Sequence, residues 1–298
     1  MNTYRYIISI LGIIVLGFGG VALAQEPWLM ETDVPEEPLA WALFSFDGES
    51  DVNSDDPEMA FGKVRVTEVD VMSSLPVATM DDFMLLGGVG CQWTRFQFTD
   101  LHDDINVYAI TMPISLLYTG IDRWMLLGNI TPGLYTDFNG FDRNDYRGTV
   151  YGMAFYRWMP NVDLTLGVSY DCIFGDDTVY PLGGAIWCPD DEWQIRLLFP
   201  MPQIIYAPFE KLIFFADARP TGNKWNIRPA GEDADYDFKL ESWRIGTGVE
   251  YELCRHVWLH CGGGIHVDRK YDVHNDNDKL LDADIDDTYF VRAGIVVR

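Results

Sequence analysis

Residues 242–253 read Ser-Trp-Arg-Ile-Gly-Thr-Gly-Val-Glu-Tyr-Glu-Leu, and they alternate between two kinds of side chain. The odd-numbered positions carry Trp, Ile, Thr, Val, Tyr and Leu, whereas the even-numbered positions carry Ser, Arg, Gly and Glu. Successive side chains of a β-strand point to opposite faces, so this period of two predicts a strand with one apolar face and one polar or small face. A wall strand of a membrane-spanning β-barrel needs that division, because one face meets lipid and the other meets the lumen.

The alternation recurs in other segments. Residues 257–268 repeat it after a short turn at Arg255 and His256, which predicts a tight hairpin. Residues 108–118, 163–171 and 289–298 alternate as well, and Tyr or Trp closes the apolar stripes at one end or both. Aromatic residues at strand ends match the girdles that lie at the two membrane interfaces.

The whole chain carries eleven predicted strands, and Pro200 and Pro202 interrupt one of them because proline removes a ladder donor. Single-chain bacterial barrels have an even number of strands. The sequence therefore predicts an all-β fold, an antiparallel up-and-down transmembrane β-barrel of about 12 strands, with 10 as the alternative. The eleven predicted strands are 60–73, 83–98, 105–118, 123–138, 146–159, 163–175, 193–206, 210–219, 236–253, 257–272 and 287–298.

A soluble β-sandwich also alternates, so alternation alone does not decide between the two fold classes. Two features favour the membrane barrel. Glycines recur on the polar face, as expected where side chains crowd a narrow lumen. The 42 aromatic residues (17 Phe, 10 Trp and 15 Tyr) include many at strand ends.

The N-terminus predicts export. Arg5 precedes an apolar run from 7 to 18, and Ala22-Leu23-Ala24 stands directly before Gln25. The run is too short to span a bilayer and ends at an A-x-A site, so residues 1–24 are predicted to be a cleavable signal peptide. We expect an acidic, proline-containing arm or linker at 25–58 and the barrel domain at 59–298, located in the cell outer membrane.

The charge of the chain excludes one class of partner. Removing residues 1–24 takes away a single charged residue, Arg5, and leaves 20 basic and 46 acidic residues, a net charge of −26 (20 − 46). Nucleic acid would be repelled by such a surface. The acidic run at 272–287 lacks the glycine and the closing glutamate of an EF-hand loop, so we interpret it as a solvated outer loop that could bind divalent cations weakly. No nucleotide-binding or hydrolase motif is present, and we predict no cofactor.

The five cysteines include at least one that has no partner, because their number is odd. Cys172 and Cys188 flank one predicted loop and are the best candidates for a disulfide. Cys91 and Cys261 are expected to be small apolar wall residues.

Seven polar residues are predicted to line the lumen, because they fall on the polar face of the C-terminal strands: Arg244, Glu250, Glu252, His260, His266, Asp268 and Arg292. Arginine and glutamate side chains there would form charge pairs that partly fill the lumen. His260 and His266 would be about 20 Å apart along one strand, too far to bind one metal ion. We therefore predict lumen lining rather than a catalytic or metal site.

The segment at 184–206 resembles an uncharacterised family of predicted outer-membrane β-barrel proteins. The resemblance rests on a W-x-P-like turn followed by a strand that ends near a Pro and a Tyr, matched here by Trp187, Pro189, Trp193, Pro200 and Tyr206. It implies a barrel over about 60–298, with outer-membrane lipids and the barrel assembly machinery as partners. The family carries no established activity that could be transferred to residues of this chain.

Three functions remain open from the sequence. The first is a monomeric barrel with a passive role, either a narrow pore or a structural protein, and not an enzyme. The second is a barrel enzyme that acts on lipid or peptide at the membrane, although the sequence indicates no nucleophile and base. The third is a soluble exported β-rich binding protein, which would fold without detergent.

Overall fold

The computed structural model describes residues 32, 34–35, 37–54, 62–99, 104–228, 235–275 and 278–298. The predicted signal peptide lies outside the described residues. None of the described residues belongs to a helix long and apolar enough to cross a membrane. The strands are β1 Ala40–Asp47, β2 Ser50–Ser54, β3 Lys63–Met80, β4 Phe83–Phe98, β5 Ile105–Thr111, β6 Ile114–Ile121, β7 Trp124–Thr136, β8 Tyr146–Met159, β9 Val162–Asp171, β10 Thr178–Trp187, β11 Trp193–Phe199, β12 Gln203–Phe209, β13 Leu212–Pro220, β14 Asn223–Ile227, β15 Tyr236–Cys254, β16 Val257–Asn275, β17 Asp278–Ile285 and β18 Thr288–Val297.

These segments make a closed wall of 14 antiparallel strands within the described part of the chain. Some wall strands are interrupted, so that two consecutive segments pair one after the other with the same neighbouring strand. Each such pair counts as one strand of the wall, and there are four of them: β1/β2, β5/β6, β13/β14 and β17/β18. The wall closes where β1 pairs with β18, from Ala40 opposite Val297 to Asp47 opposite Phe290. The predicted fold class is confirmed, and the strand number exceeds the expected 12 by two.

Three differences account for the strand number. Strands β1 and β2 lie inside the segment 25–58, which we had predicted to be an irregular arm, so the barrel begins at Ala40 rather than at 59. Strand β10 was missed because Pro181, Gly183 and Gly184 hide its alternation. The predicted strand 193–206 is two strands, β11 and β12, because the chain turns at 200–202.

The two ends of the barrel differ in their connections. At one end, the short-turn end, pairs of residues such as 81–82, 122–123, 160–161, 210–211 and 255–256 join the strands. Arg123 and His256 adopt a positive φ in two of these turns. At the opposite end, the long-loop end, the connections include 137–145, 172–177 and 228–235.

The polarity of the wall inverts along the strands. Toward the long-loop end of β3, Lys63 and Arg65 are exposed on the outer face while Val64 and Val66 are buried inside. Further along the same strand the inner face carries Glu68 and Asp70. The segment near the long-loop end therefore has a charged exterior and an apolar interior, like a soluble β-domain, whereas the rest has the pattern of a membrane barrel.

An aromatic core fills the interior at the long-loop end. We use this name for the buried cluster of Val52, Val64, Val66, Phe96, Phe98, Val107, Ala109, Tyr135, Trp225, Phe238, Tyr271, Leu281, Ala283 and Ile285. Phe96 is central to it, because its ring makes edge contacts with Trp225, Phe238 and Tyr271 at 4.9–6.0 Å between centroids. Strand β14 pairs with β15 and contributes Trp225 to this core, and its Asn226 makes a parallel bridge to Thr136 of β7.

The acidic run at 272–287 is not the solvated loop that we predicted. It contains the end of β16 and all of β17, where Leu281, Ala283 and Ile285 are buried in the aromatic core. Asp282 and Asp284 alternate with them and are exposed. The acidic residues thus occupy the outer face of a strand, which the alternation Leu-Asp-Ala-Asp-Ile specifies.

The outer face away from the long-loop end is covered by exposed apolar side chains contributed by strands all around the wall. Examples on different strands are Phe44, Val89, Ile114, Leu126, Leu166, Leu197, Phe214, Ile245, Leu259 and Val291. Leu166, near the middle of β9, is 73% exposed. An apolar outer surface of this extent needs lipid or another apolar phase to cover it.

The cysteines are all free, so the predicted Cys172–Cys188 disulfide is wrong. The two residues flank strand β10 rather than a loop, and therefore lie toward opposite ends of the barrel. Ten strand residues span about 33 Å, far beyond the distance of about 7 Å between Cα atoms that a disulfide tolerates.

Candidate functional site in the barrel lumen

A cavity of about 480 Å³ occupies the lumen between the aromatic core and the short-turn end. We call it the lumenal cavity. Charged side chains of β3, β13, β15 and β18 form its middle, and apolar side chains such as Leu43, Ile205, Ile213 and Phe215 form the wall nearer the short-turn end. A volume of this size is typical of sites for small ligands.

Both ends of the lumenal cavity are occupied. The aromatic core contributes Trp225 to one end. At the short-turn end the lining includes Val34, Pro35, Glu37 and Pro38, which we call the N-terminal segment. Val34 is buried in a second apolar cluster with Ile205, Ala207, Ile213, Trp258 and Val296. Arg196 forms an ion pair with Glu37, which fixes this segment to β11.

Four of the seven predicted lumen residues line the cavity: Arg244, Glu250, His260 and Arg292. His266 is buried beside Arg244 in the wall, within a hydrogen-bond network. Glu252 is half-buried near the short-turn end and does not line the cavity.

Asp268 is exposed on the outer surface, which corrects our prediction that it faces the lumen. The strand register slips by one residue between β15 and β16 at this level, and Asp268 adopts a φ of 53°. A β-bulge of this kind moves every later side chain to the other face. Arg269 and Tyr271 consequently point inward and are buried.

Glu250 is the acceptor of a small buried network. His260 lies opposite Glu250 across the hairpin, with Nδ1 2.9 Å from Oε1. Arg298 donates from a guanidinium nitrogen to Oε2 at 2.8 Å. The ring of Phe215 stacks on His260 with 5.1 Å between centroids. The predicted pairing of Glu250 and Glu252 with Arg244 and Arg292 is therefore wrong, since Glu250 takes other partners.

Glu68 and Asp70 of β3 supply acidic groups that the sequence analysis missed. Glu68 accepts a hydrogen bond from Gln92 at 2.8 Å and lies 4.0 Å from Arg244. Asp70 accepts one from the indole nitrogen of Trp41 at 2.7 Å. The sequence does place both acidic residues on one face, because the even-numbered positions of 64–70 read Val-Val-Glu-Asp. The two valines at the start of this face, however, are typical of an apolar core and not of a polar lumen.

Three arginines line the same cavity as these carboxylates. Arg219 lies 3.6 Å from Asp217, and Arg244 stacks over the ring of Phe290 at 4.8 Å. Arg292 also lies beside Phe290, at 5.9 Å. Among the described residues no carboxylate stands within 4.0 Å of Arg292, so its charge is the least compensated of the three.

A family model for a domain of unknown function, DUF6268, matches residues 76–291, which is more than two thirds of the chain. The chain belongs to the DUF6268 family. No protein with a curated description matches the sequence.

Among solved structures, the DUF6268 chain is similar in fold to outer-membrane barrels. The Pseudomonas putida toluene transporter TodX is 10% identical, with 93% of each chain covered and a TM-score of 0.37. Outer membrane phospholipase A from Escherichia coli is 10% identical, covering 88% of this chain and 97% of its own, with a TM-score of 0.37. A Pseudomonas aeruginosa FadL homologue is 9% identical over 89% and 91%, with a TM-score of 0.36. Similarity at this level carries no residue roles.

The structure of this DUF6268 chain also brings together a serine, a histidine and an aspartate. Ser242 Oγ lies 3.0 Å from Nδ1 of His266, and Asp47 Oδ1 lies 3.4 Å from Nε2 of the same ring. The sequence analysis found no such set because the residues come from three strands. All three side chains are buried, and none of them lines the lumenal cavity.

The hydrogen bonds of His266 argue against a hydrolytic role for this set. Arg244 Nε donates to His266 Nε2 at 3.2 Å, and a guanidinium nitrogen can only donate. Nε2 therefore accepts, and Nδ1 carries the proton and donates it to Ser242. A general base must instead accept the serine proton. With Nε2 accepting from Arg244, Asp47 at 3.4 Å is not a hydrogen-bond partner of this nitrogen. We interpret Ser242, His266 and Arg244 as a structural network that holds β15 and β16 together.

No group of three or more metal-ligating side chains occurs in the part of the chain that the structure describes. The lumenal cavity offers a neutral balance of fixed charges, one weakly compensated arginine, and an apolar wall beside them.

Proposed function

We propose that this protein is a monomeric outer-membrane barrel that is closed to free passage of solutes and serves a structural or binding role. The observation that carries the proposal is the aromatic core, which fills one end of the lumen with side chains that are almost completely buried. A passive pore needs a continuous polar path. Of the two passive roles predicted from the sequence, the packing favours the closed barrel over the narrow pore.

The outer-membrane location is supported by the apolar outer face of the wall and by the predicted signal peptide. We propose that the long-loop end faces the outside of the cell, because short turns face the periplasm in barrels of this class. Outer-membrane lipids would cover the apolar face. The barrel assembly machinery is the proposed partner for insertion.

Ion conductance tests the proposal. Residues 25–298 are refolded in detergent, and a mobility shift that depends on boiling establishes a closed barrel. The protein is then inserted into a planar bilayer in a potassium chloride solution. We expect no current steps from the wild-type protein, because the aromatic core blocks the lumen. A steady current through the wild-type barrel would overturn the proposal.

A variant with a loosened core provides the positive control. Trp225→Gly removes the side chain that both belongs to the aromatic core and lines the lumenal cavity. We expect intermittent currents when this substitution is combined with deletion of residues 25–38, because both ends of the cavity are occupied in the wild-type protein. The variant must keep the boiling-dependent shift. Trp258→Gly, a buried tryptophan at the short-turn end, should stay silent because it leaves the aromatic core intact.

The enzyme alternative has a direct test at Ser242. A fluorophosphonate probe labels serines that a neighbouring base activates. We expect no labelling of the folded protein in detergent, because Nδ1 of His266 donates to Ser242 rather than accepting from it. Labelling that disappears in Ser242→Ala would establish the hydrolytic alternative.

A further inference from the structure

The wall of the barrel has a break in its hydrogen-bond ladder. Strands β11 and β12 are only seven residues long each. Strand β10 pairs with β11 no further than Gly183 opposite Phe199, and β13 pairs with β12 no further than Asp217 opposite Gln203. Above the turn at 200–202, the β10 and β13 edges face each other with no strand between them.

Both edges continue past this turn. Residues 178–182 of β10 pair with β9 on their other side, and 218–220 of β13 pair with β15. Strands in a sheet are about 4.8 Å apart, so two missing strands leave a break roughly 10–15 Å wide. An unpaired edge is tolerated at membrane depth where it borders a cavity.

The break is bounded on its fourth side by a contact near the long-loop end. The backbone N–H of Gly222 donates to the carbonyl oxygen of Ile173 at 2.7 Å. A Cβ atom on Gly222 would lie 2.4 Å from that oxygen, so only glycine permits the approach. We call the region enclosed by 178–182, 200–202, 218–222 and Ile173 the side opening.

The lumenal cavity reaches the side opening. Its lining includes Met201 from the turn and Pro220, Thr221 and Gly222 from the β13 edge. Met201 is also 48% exposed, so one side chain borders the cavity and the outer surface. Phe199 and Val179 beside it are exposed apolar residues of the outer face. The opening thus connects the lumen with the region that lipid would cover.

The lining indicates what the cavity would hold. Leu43, Ile213 and Phe215 offer apolar surface for a hydrocarbon chain. Arg292 lacks a carboxylate within 4.0 Å in the described part of the chain. Its guanidinium group can only donate, so it favours an acidic headgroup.

We propose that the lumenal cavity binds a bilayer-dissolved amphiphile with a single acidic headgroup, which enters through the side opening. The inference rests on the proposed closed barrel, because both axial ends of the cavity are occupied. Arg292 holds the headgroup, and the apolar wall between β1 and β13 holds the chain. Met201 stands at the point of entry.

Binding is tested with a pyrene-labelled long-chain carboxylate and the matching long-chain alcohol on protein in lipid vesicles. We expect saturable binding of the carboxylate. Arg292→Gln should weaken it about tenfold, the effect of losing one charge-assisted hydrogen bond, and should leave alcohol binding unchanged. Arg123→Gln, in a short turn, is the matched control and should change neither. Absence of saturable binding, or equal loss for both probes, would overturn the proposed ligand.

The route is tested by the rate at which the carboxylate moves from vesicle to protein. Met201→Trp should slow uptake several-fold at unchanged equilibrium affinity. Met159→Trp, a similarly exposed methionine at the short-turn end (44%), should leave the rate unchanged. If the Met201 variant takes up probe at the wild-type rate, and deletion of residues 25–38 accelerates uptake instead, entry is axial and the side route is wrong. The conductance experiment tests the closed barrel independently of ligand binding. A steady current would contradict the closed barrel, whereas the binding and uptake experiments test only the ligand and its route.

Discussion

Val66 and Glu68 are successive inward-facing residues of β3, and the interior of the barrel changes from apolar to charged between them. Val66 is buried in the aromatic core, whereas Glu68 lines the lumenal cavity and accepts a hydrogen bond from Gln92. The outer face changes in the opposite sense, from Lys63 and Arg65 to apolar residues. The same strand therefore belongs to the soluble-type segment at one end and to the membrane segment at the other. Its side chains keep alternating between the inner and the outer face throughout.

The aromatic core should dominate the stability of the long-loop end. Phe96 is 0% exposed, and Phe96→Ala should lower the free energy of unfolding by about 3–5 kcal/mol because it removes a large buried side chain and leaves a cavity. Denaturant unfolding in vesicles measures the effect. Gln97→Ala, on the outer face of the same strand, should change stability by less than about 0.5 kcal/mol. Equal losses would contradict the assigned faces of β4.

The apolar outer face should behave as a lipid-facing surface. Leu166→Arg places a charge near the middle of β9 and should destabilise the inserted barrel by about 2–4 kcal/mol. Asp284→Arg, also outward-facing but beside the aromatic core, should cost about 1 kcal/mol or less. The two variants are compared by denaturant unfolding in vesicles. A Leu166 variant as stable as the Asp284 variant would place β9 outside the bilayer.

The Glu250 network should contribute to folding through a buried charge. Glu250→Ala removes the carboxylate that Arg298 and His260 both contact, and breaking such a buried set costs about 3 kcal/mol or more. Glu252→Ala, two residues away and half-buried, is expected to be nearly neutral. The free energies of unfolding of the two variants decide the matter, and a neutral Glu250 variant would contradict the network.

A carboxyl pair in the connections at the long-loop end should make their contact depend on pH. Burial and a hydrogen bond with Asp142 raise the pKa of Asp235, while the hydrogen bond from Asp235 lowers the pKa of Asp142. Arg228 lies beside both, and its Nε donates to Asp235 at 2.6 Å. Asp235 is therefore the member of the pair that holds a shared proton more tightly.

The two shifts act in opposite directions on stability. The contribution of Asp142 is present above its ordinary pKa and is lost as pH falls through its lowered pKa, whereas that of Asp235 is lost as pH rises through its raised pKa. The protection factors of residues 137–145, which are exchange rates corrected for the intrinsic pH dependence of amide exchange, should thus be largest at mildly acidic pH and smaller at neutral pH. Asp235→Asn, which mimics the protonated group, should abolish the decrease toward neutral pH. A variant with the wild-type pH profile would contradict proton sharing.

Much of the wall could be predicted from the sequence because lipid and lumen impose opposite chemistry on alternate residues. The hairpin of β15 and β16 and the strand β18 follow directly from that rule. Strand β10 could not be predicted in this way, since Pro181, Gly183 and Gly184 obscure its alternation. Strand β1 contains neither residue type and was missed because the prolines around it led us to interpret the whole segment 25–58 as an irregular arm. The sequence also could not predict which residues of β16 beyond His266 face inward. A bulge at Asp268 moves the later side chains to the opposite face, and nothing in the composition of the strand indicates it.

The sequence by itself determined the fold class, an antiparallel barrel with an apolar exterior, since period-two patterning is a local property of each strand. The tertiary structure decided what the lumen contains. Phe96, Trp225 and Tyr271 become one core, and Glu68 comes to face Arg244, only when β3, β4, β14, β15 and β16 close around the same space. Contacts between residues so distant along the chain depend on register and closure, and neither of these is encoded in the alternation of any single strand.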